Sequence, residues 1–567
     1  MGTPNQQTIL SRIRVVIYPY KFHFAMKNVR SRDIINSDFR DITSAVTECS
    51  YTKTKADASG TFSITLKPTQ NWTDIIRPGD WLMIYQSQFP INIKTAKGLQ
   101  VLGNVDRSAK RKIIDPEGKK SIEYTLMGRD WGKVLEQTTF YYDPYTNKEE
   151  QIKKIMLTKA GYILEGSPRD FLNTYFNIYF GDGRRVKDKV VKEVVDKLDQ
   201  MRLPSEIYEV FGITKRTANL SDLVRLEFQD VKGNSWFVPM AKALNNNVWE
   251  IFKAISNPLI NELYTCMRFD PKTGNIFPCI VLREIPFQQK KFSRLQAHVI
   301  SDDHIIGEDI GFSDHERVNW ITFDSLDQYP DDWTNFAASI GERVPDEFGS
   351  GSSIVIEGKT GKSPLFPYID DTSIKRYGLR MQRPNTEFAQ FFDSNNQASS
   401  LKTYAAIAAE WQKKLVEIWF NQPRTESGTI ITKGIGSKEF ILNRNPHDTI
   451  LNNQKIDVSN IKKIETDHLT VGNNIFLKDQ GRLFHLEGYE WHWQAPGITN
   501  TTMVVIRGVL GDPNKFGHKY RDDAKEVEQL EVNVSVVVRK DDSEDDGSSD
   551  GGSGSSGNSP KNKLFGN

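Results

Sequence analysis

Arg77-Pro78-Gly79-Asp80-Trp81-Leu82-Met83-Ile84-Tyr85 is the stretch on which the fold turns, because a second stretch far along the chain follows the same plan. Pro78-Gly79-Asp80 is turn punctuation, and the apolar run behind it has the length of a strand. Leu99-Gln100-Val101-Leu102-Gly103-Asn104-Val105 comes next, then Ser121-Ile122-Glu123-Tyr124-Thr125-Leu126-Met127-Gly128-Arg129-Asp130. Near the other end, Thr470-Val471-Gly472-Asn473-Asn474-Ile475-Phe476-Leu477 precedes Leu483-Phe484-His485-Leu486-Glu487-Gly488-Tyr489 and Thr501-Thr502-Met503-Val504-Val505-Ile506-Arg507-Gly508. In both copies a turn glycine opens a strand: Gly79 with Asp80, and Gly472. A second strand reaches glycine at Gly103 and Gly488, and a third ends near glycine and arginine at Gly128 and Gly508. The recurrence predicts two similar β-modules, with equivalent turns at Gly79 and Gly472 and equivalent strand ends at Gly103 and Gly488. Two similar units per subunit double the symmetry of a ring, so the pattern points to assembly rather than catalysis.

Between these copies the period changes. Phe62, Ile64 and Leu66 alternate with Thr61, Ser63 and Thr65, as do Ile13, Val15 and Ile17 with Arg12, Arg14 and Val16, which predicts strands with one buried face. From about residue 148, Val190, Val191, Val194, Val195, Leu198 and Met201 fall on one helical stripe, with Glu193, Asp196 and Asp199 giving a solvated outer face. Val248 to Tyr264 reads as a helix interrupted at Pro258. Ile276 to Phe287 reads as a strand, and Ile407, Trp411, Leu415 and Trp419 as a further helix stopped by Pro423. From Thr429 the pattern is β again, and Leu530 to Val538 alternate cleanly. Asp541 to Gly557 contains only Asp, Glu, Ser and Gly, and cannot bury enough to offset ordering entropy. Removing 541–567 is expected to leave folding intact.

The fold class expected is therefore α+β and β-rich: two tube-like β-barrel domains with mixed α/β and helical insertions. The expected boundaries are 1–147 for the first barrel, 148–295 for a mixed α/β domain, 296–540 for the second barrel with a helical insertion around 385–425, and 541–567 for an acidic Ser/Gly tail.

Composition removes several function classes. The 567 residues carry 74 basic and 73 acidic side chains, so no basic excess speaks for wrapping nucleic acid. Cys49, Cys266 and Cys279 are widely spaced and include no CxxC pair, which argues against a disulfide framework or structural zinc and for buried small hydrophobes. No signal-type segment and no span of about 18 apolar residues is present. The expectation is a soluble protein of a reducing compartment, with no membrane anchor.

Catalytic patterns are missing too. There is no GxxxxGK[ST], no GxGxxG after a strand, no GxSxG elbow and no HExxH; Gly434-Ile435-Gly436-Ser437-Lys438 lacks a following helix. His485 and His492 lie near Glu487 and Glu490, but their odd spacing on a strand points them to opposite faces. No catalytic residue, metal ligand or cofactor site is expected. Tyr489, Trp491 and Trp493, spaced by two, fit a buried or intersubunit sheet face better than a sugar-stacking platform. They are the candidate subunit interface.

Three landmarks resemble the central baseplate hub of contractile-tailed phages, the family of late-control tail proteins and type VI secretion spikes. The first runs from Arg77-Pro78-Gly79-Asp80 through Gly103-Asn104-Val105-Asp106 to Gly128-Arg129-Asp130. The second is Val281-Leu282-Arg283-Glu284-Ile285-Pro286-Phe287, and the third runs from Val471-Gly472 through Leu486-Glu487-Gly488-Tyr489 to Ile506-Arg507-Gly508. Together they span about residues 70 to 510. The resemblance implies a non-enzymatic virion tail protein, assembled in the host cytoplasm. It also implies a homotrimer whose paired barrels form a pseudo-hexameric ring joining the sixfold tail tube protein to a threefold central spike protein. Other baseplate proteins would contact it, and DNA or the tape measure protein would pass through its channel. A tail-associated cell-wall hydrolase and a carbohydrate-binding adhesin are the alternatives.

Overall fold

The computed structural model describes residues 10–19, 39–114, 118, 120–140, 156–158, 161–181, 203–214, 218–231, 235–237, 247–256, 261–270, 274–286, 295–311, 319–321, 353–359, 368–369, 371–382, 426–434, 468–510, 528–529 and 534–539. Within them the protein is β-rich and its helices are few. The first strands are β1 (Arg12–Tyr18), β2 (Arg40–Asp41), β3 (Val46–Thr54), β4 (Thr61–Leu66), β5 (Trp81–Ser87), β6 (Leu99–Ile114) and β7 (Lys120–Asp130). A middle region follows with β8 (Met156–Thr158), β9 (Gly161–Gly166), β10 (Arg225–Gln229), β11 (Ser235–Phe237), β12 (Asn261–Phe269) and β13 (Ile276–Glu284). Next come β14 (Ala297–Ile300), β15 (Ile305–Gly311), the shorter strands β16 (Trp320–Ile321), β17 (Ser353–Lys359), β18 (Tyr368–Ile369) and β19 (Met381–Gln382), then β20 (Glu426–Lys433), β21 (Asn474–Leu477), β22 (Arg482–Gln494) and β23 (Ile498–Leu510). Two last strands, β24 (Glu528–Gln529) and β25 (Val534–Arg539), close the described chain.

One curled, largely antiparallel sheet dominates. Its order is β15-β20-β23-β22-β3-β4-β7-β6-β5-β1-β2, with β21 on β22 and β14 on β21. Within it a single plan occurs twice: β3-β4-β7-β6-β5 is repeated as β15-β20-β23-β22-β21. The registers repeat as well. Trp81 faces Asn104 as Asn474 faces His485. Bulges fall at the same places, between Val105 and Arg107 in β6 and between Leu486 and Gly488 in β22. A second matched pair lies between Val46 and Glu48 in β3 and between Ile305 and Gly307 in β15. A 3-10 turn precedes each of the latter strands, Thr43–Ala45 before β3 and Asp302–His304 before β15. The copies differ at one edge. In the first, β1 lies between β5 and β2; in the second, β14 pairs directly with β21 in parallel.

The alternation read in β4 is observed, with Phe62, Ile64 and Leu66 buried. By contrast β5 is buried at all seven positions, because both its faces are covered. On one side Trp81, Met83 and Tyr85 meet Trp249, Phe252, Tyr175 and Phe176 of the middle region's helices Val248–Ser256 and Pro168–Phe180. On the other, Leu82 and Ile84 belong to a core shared by both copies, which also takes in Ile430, Phe484, Leu486, Trp491 and Met503.

Two readings need correction. The helix expected over Val248 to Tyr264 ends at Ser256, and Asn261–Phe269 is instead strand β12, paired antiparallel with β13. The four-residue spacing of Ile251 and Ile255 is helical, but beyond Pro258 the hairpin partner decides the conformation. Asn261 Nδ2 donates to Ser256 O (2.9 Å) across the break. Gly103 and Gly488 are not equivalent strand ends. Gly103 lies inside β6 opposite Leu82, a position held by Phe484 in the second copy, while Gly488 follows the β22 bulge, where the first copy has Arg107. Gly128 is likewise internal to β7 and corresponds to Val505; Gly508 pairs with Glu426 within β23. The helices read at 190–201 and 407–419 and the 541–567 tail lie outside the described residues.

Gly79 and Gly472 do occupy equivalent turns, with φ of 94° and 80°. The Gly79 N–H donates to Val105 O (2.8 Å) and the Val105 N–H returns to Asp80 O (2.9 Å); Gly472 to Leu486 O (2.9 Å) and Leu486 to Asn473 O (3.0 Å) repeat the exchange. Alanine in this left-handed conformation costs about 1–2 kcal/mol. At Gly79 an added Cβ meets nothing within 4 Å, whereas at Gly472 it falls 2.4 Å from the Tyr264 ring. Denaturant unfolding is expected to show Gly79→Ala costing about 1–2 kcal/mol and Gly472→Ala about 1–3 kcal/mol more through overpacking. Equal costs would mean the two turns are packed alike.

Candidate functional site

The functional geometry lies where the two copies meet. After its bulge, β22 turns away from β21 and pairs along Gly488–Gln494 with Thr54–Glu48 of β3, the edge strand of the first copy. Tyr489, Trp491 and Trp493 project from this seam to the same side as Lys53, Tyr51 and Cys49. Tyr51 packs edge-on to Tyr489 (ring centroids 6.1 Å) and tilted to Trp491 (6.2 Å), while Trp493 Nε1 donates to Ser11 O (3.0 Å).

These three aromatic side chains are 5%, 0% and 6% exposed within the single chain. They therefore cannot line an interface between subunits, and a sugar cannot stack on them. The period of two does mark a buried sheet face, but its partner is β3 of the same chain. No local signal in either strand names the other, since they lie more than 400 positions apart in sequence.

Polar contacts brace the seam. Lys53 Nζ is buried and donates to Asp57 O (3.1 Å), Ala58 O (2.9 Å) and Thr265 Oγ1 (2.7 Å), with Asp130 Oδ2 at 3.6 Å. Asp130 accepts from Tyr51 (2.7 Å) and from the N–H groups of Gly60 (2.8 Å) and Gly132 (2.9 Å), so both its oxygens are occupied. Burial next to this carboxylate holds the Tyr51 phenol well above its ordinary range.

A second chain of charges ties the seam to the middle hairpin. Arg283 of β13 donates to Gly472 O (2.6 Å) and pairs with Glu262 of β12 (2.5 Å). Lys55 bridges Glu262 (2.8 Å) to Glu487 (2.6 Å), the residue at the β22 bulge. The corresponding bulge residue of the first copy, Asp106, meets Arg129 (2.9 Å) and Lys133 (2.5 Å) instead. The Arg283 landmark of the sequence is therefore a structural tie to the Gly472 turn. Asp80 fills a similar local role, its carboxylate accepting the Arg77 N–H (2.8 Å).

Two buried histidines flank that same turn. His468 Nε2 lies 2.6 Å from Met267 O, and His298 Nε2 accepts the Thr470 N–H (3.2 Å). Burial pushes His298 down to about 3 and His468 down to about 4. His485 is buried and His492 exposed. The opposite faces expected from their odd spacing are not observed: the extra residue at the β22 bulge shifts the alternation, and His485 opposite Ile506 and His492 opposite Asn500 project from the same face of the sheet. All three cysteines are buried and free. Among the described residues no group of His, Cys, Asp or Glu could hold a metal ion, and no helix is long and apolar enough to cross a membrane.

No protein-family model matches the chain, and no curated protein matches it. Solved structures do. A tail protein from Neisseria meningitidis MC58 is similar at 11% identity and a TM-score of 0.38, covering 88% of this chain and 96% of that one. The 43 kDa tail protein of prophage MuSo2 from Shewanella oneidensis gives 9% and 0.38, covering 88% and 98%. An E. coli type VI secretion component, c3393, described as similar to the T4 tail proteins gp27 and gp5, gives 5% and 0.30, covering 82% and 75%. The structures this chain is similar to are tail and secretion-system proteins. Likeness of this degree decides no residue's role.

Trp491→Ala is expected to cost about 3–5 kcal/mol of unfolding free energy, as truncation of a fully buried aromatic does. The loss should appear in denaturant unfolding of the chain itself, not only in its assembly. The histidines make stability pH-dependent. Between about pH 6 and pH 4 the unfolded chain takes up protons at both positions and the folded chain does not, so stability falls as pH falls. Each contributes a slope of about 1.4 kcal/mol per pH unit. Replacing His298 with Asn and His468 with Gln should flatten the measured slope; an unchanged slope would mean these groups titrate normally.

Proposed function

We propose that this chain is a structural hub of a contractile tail, acting as a homotrimer in which two β-modules per subunit build a pseudo-hexameric ring. In this reading each module is a tube-like barrel. The ring joins a sixfold tail tube to a threefold central spike and surrounds a channel through which DNA or a tape measure protein passes. Other baseplate proteins dock around it, and the chain turns over no substrate.

The observation that carries the reading is the repeat of strand order, register and bulge position in two modules of one chain. Two such modules in each of three chains present six near-equivalent units, which is how a threefold object meets a sixfold one. The sequence landmarks at Gly79-Asp80, Arg283 and Gly472 support the same reading.

The uncovered face of the sheet agrees with a channel wall. Ser50, Thr52, Ser63, Thr65, Thr125, Thr429 and Thr502 lie on it, none of them fully buried. Met127 and Val504, at equivalent positions, are 45% and 46% exposed. The same face carries Arg107, Arg111 and Arg129 among Glu48, Glu123, Glu490 and Asp309, so cations and carboxylates are interspersed on it. A face of hydroxyls and mixed charge lets a polyanion slide, where clustered lysine and arginine alone would hold it.

Mass measurement of the purified chain together with images of negatively stained particles tests the proposal. Trimers with six lobes are expected. A chain that stays monomeric while clearing peptidoglycan, with clearing abolished by one carboxylate substitution, would replace the hub with a hydrolase. Retention of a monomer on a glycan array would favour an adhesin.

A further inference from the structure

The repeat leaves two strand edges whose counterparts are paired. In the second module, the part of β22 beyond the bulge takes β3 as its partner. The same part of the first module, Arg107–Ile113 of β6, is paired with β7 on one side only; among the described residues no strand meets its other edge. The counterpart of β3 is β15, which pairs with β20 on one side and, among the described residues, with nothing on the other. Each edge has the shape whose mate, inside the chain, is the other.

Resting on the ring reading above, we propose that these edges join neighbouring subunits: β6 of one copy adds antiparallel to β15 of the next. The seam within the chain fixes the register. There Glu490 faces Thr52, Trp491 faces Tyr51, His492 faces Ser50, Trp493 faces Cys49 and Gln494 faces Glu48. Carried over through the matched bulges, Ala109 faces Gly311, Lys110 faces Ile310, Arg111 faces Asp309, Lys112 faces Glu308 and Ile113 faces Gly307.

The two edges carry opposite charge. Arg107, Lys110, Arg111 and Lys112 make the first edge basic and exposed, and the second edge is acidic at the exposed Asp309 and at Glu308, whose carboxylate also meets Arg482 (2.8 Å) and Gln480 (2.8 Å). Two of the five facing pairs therefore set a cation against a carboxylate, at the distance where cross-strand pairs interact. A register one residue away would put Arg111 opposite Ile310, or Arg111 opposite Glu308 with Lys110 opposite Asp309; either slip turns one strand over, and it is this facing that excludes them. Because the two edges differ, the contact is head-to-tail, the kind that closes into a ring when its rotation permits. Main-chain hydrogen bonds supply adhesion, as in other strand-addition contacts, and the charges select the unlike edge.

Charge reversal and cross-linking test this. Arg111→Glu alone and Asp309→Arg alone should each weaken trimer formation at least tenfold by sedimentation, with unchanged circular dichroism. The double variant carrying both should restore it, because every contact then sets a carboxylate at position 111 of one copy against a guanidinium at position 309 of the next. An oxidised equimolar mixture of Arg111→Cys and Asp309→Cys chains should give a covalently linked pair that neither variant gives alone, the native cysteines being buried. Trimers indifferent to both reversals, with no cross-link, would overturn the strand pairing and leave the ring standing. A wild-type chain that stays monomeric, with no cross-link in the mixture of cysteine variants, would overturn both.

Discussion

Everything else in the structure depends on seven residue pairs between β22 and β3. Two sheets that each ended in a free edge would invite pairing with any other strand. Here one edge of the first module is consumed by the second, so the modules share a sheet and a core. The pairing is possible only because β22 changes partners at its bulge. Before Leu486 it is bonded to β21; after Gly488 it is bonded to β3. One extra residue bends a strand and strengthens its twist, and that bend lets a 13-residue strand serve both neighbours.

The bulge also explains where the buried charges went. An extra residue in a strand leaves a side chain that fits neither the core nor the regular ladder. In β22 that residue is Glu487, and Lys55, Glu262 and Arg283 run from it to the carbonyl of Gly472. The bulge, the turn and the middle hairpin are thus held by one path of paired charges. Such a path adds little net stability, because desolvation offsets much of the attraction. Removing one member leaves an uncompensated buried charge, so its main effect is to exclude other arrangements of the three parts.

Much of this is legible in the sequence, and the limits have physical causes. Turn glycines before apolar runs identify the duplicated unit, since φ near +80 to +94° leaves few alternatives to glycine at Gly79 and Gly472. The period of two in Tyr489, Trp491 and Trp493 identifies a buried face. The glycines at 103, 128 and 488 mislead, because glycine marks a close approach or a bulge inside a long strand as readily as a strand's end. At Gly128 an added Cβ would meet Asn104 O at 2.2 Å and the Phe62 ring at 2.5 Å, a constraint set by two other strands. Long-range pairing has no local signature, which is why the aromatic triplet taken alone points to the wrong partner.

The distribution of charge on the remaining edges fits the same constraint. A free edge is tolerated when pairing with its own kind is penalised. Two copies of β6 laid edge to edge would bring Arg107, Lys110, Arg111 and Lys112 against one another, and two copies of β15 would oppose Glu308 and Asp309. Like charges directly opposite are destabilising in an antiparallel pair. Each edge therefore disfavours its own kind, while the unlike edge sets opposite charges together. The near-zero net charge of the whole chain, 74 basic against 73 acidic residues, conceals this local separation. It is the placement of the charges along two particular strands, not their sum, that distinguishes one partner from another.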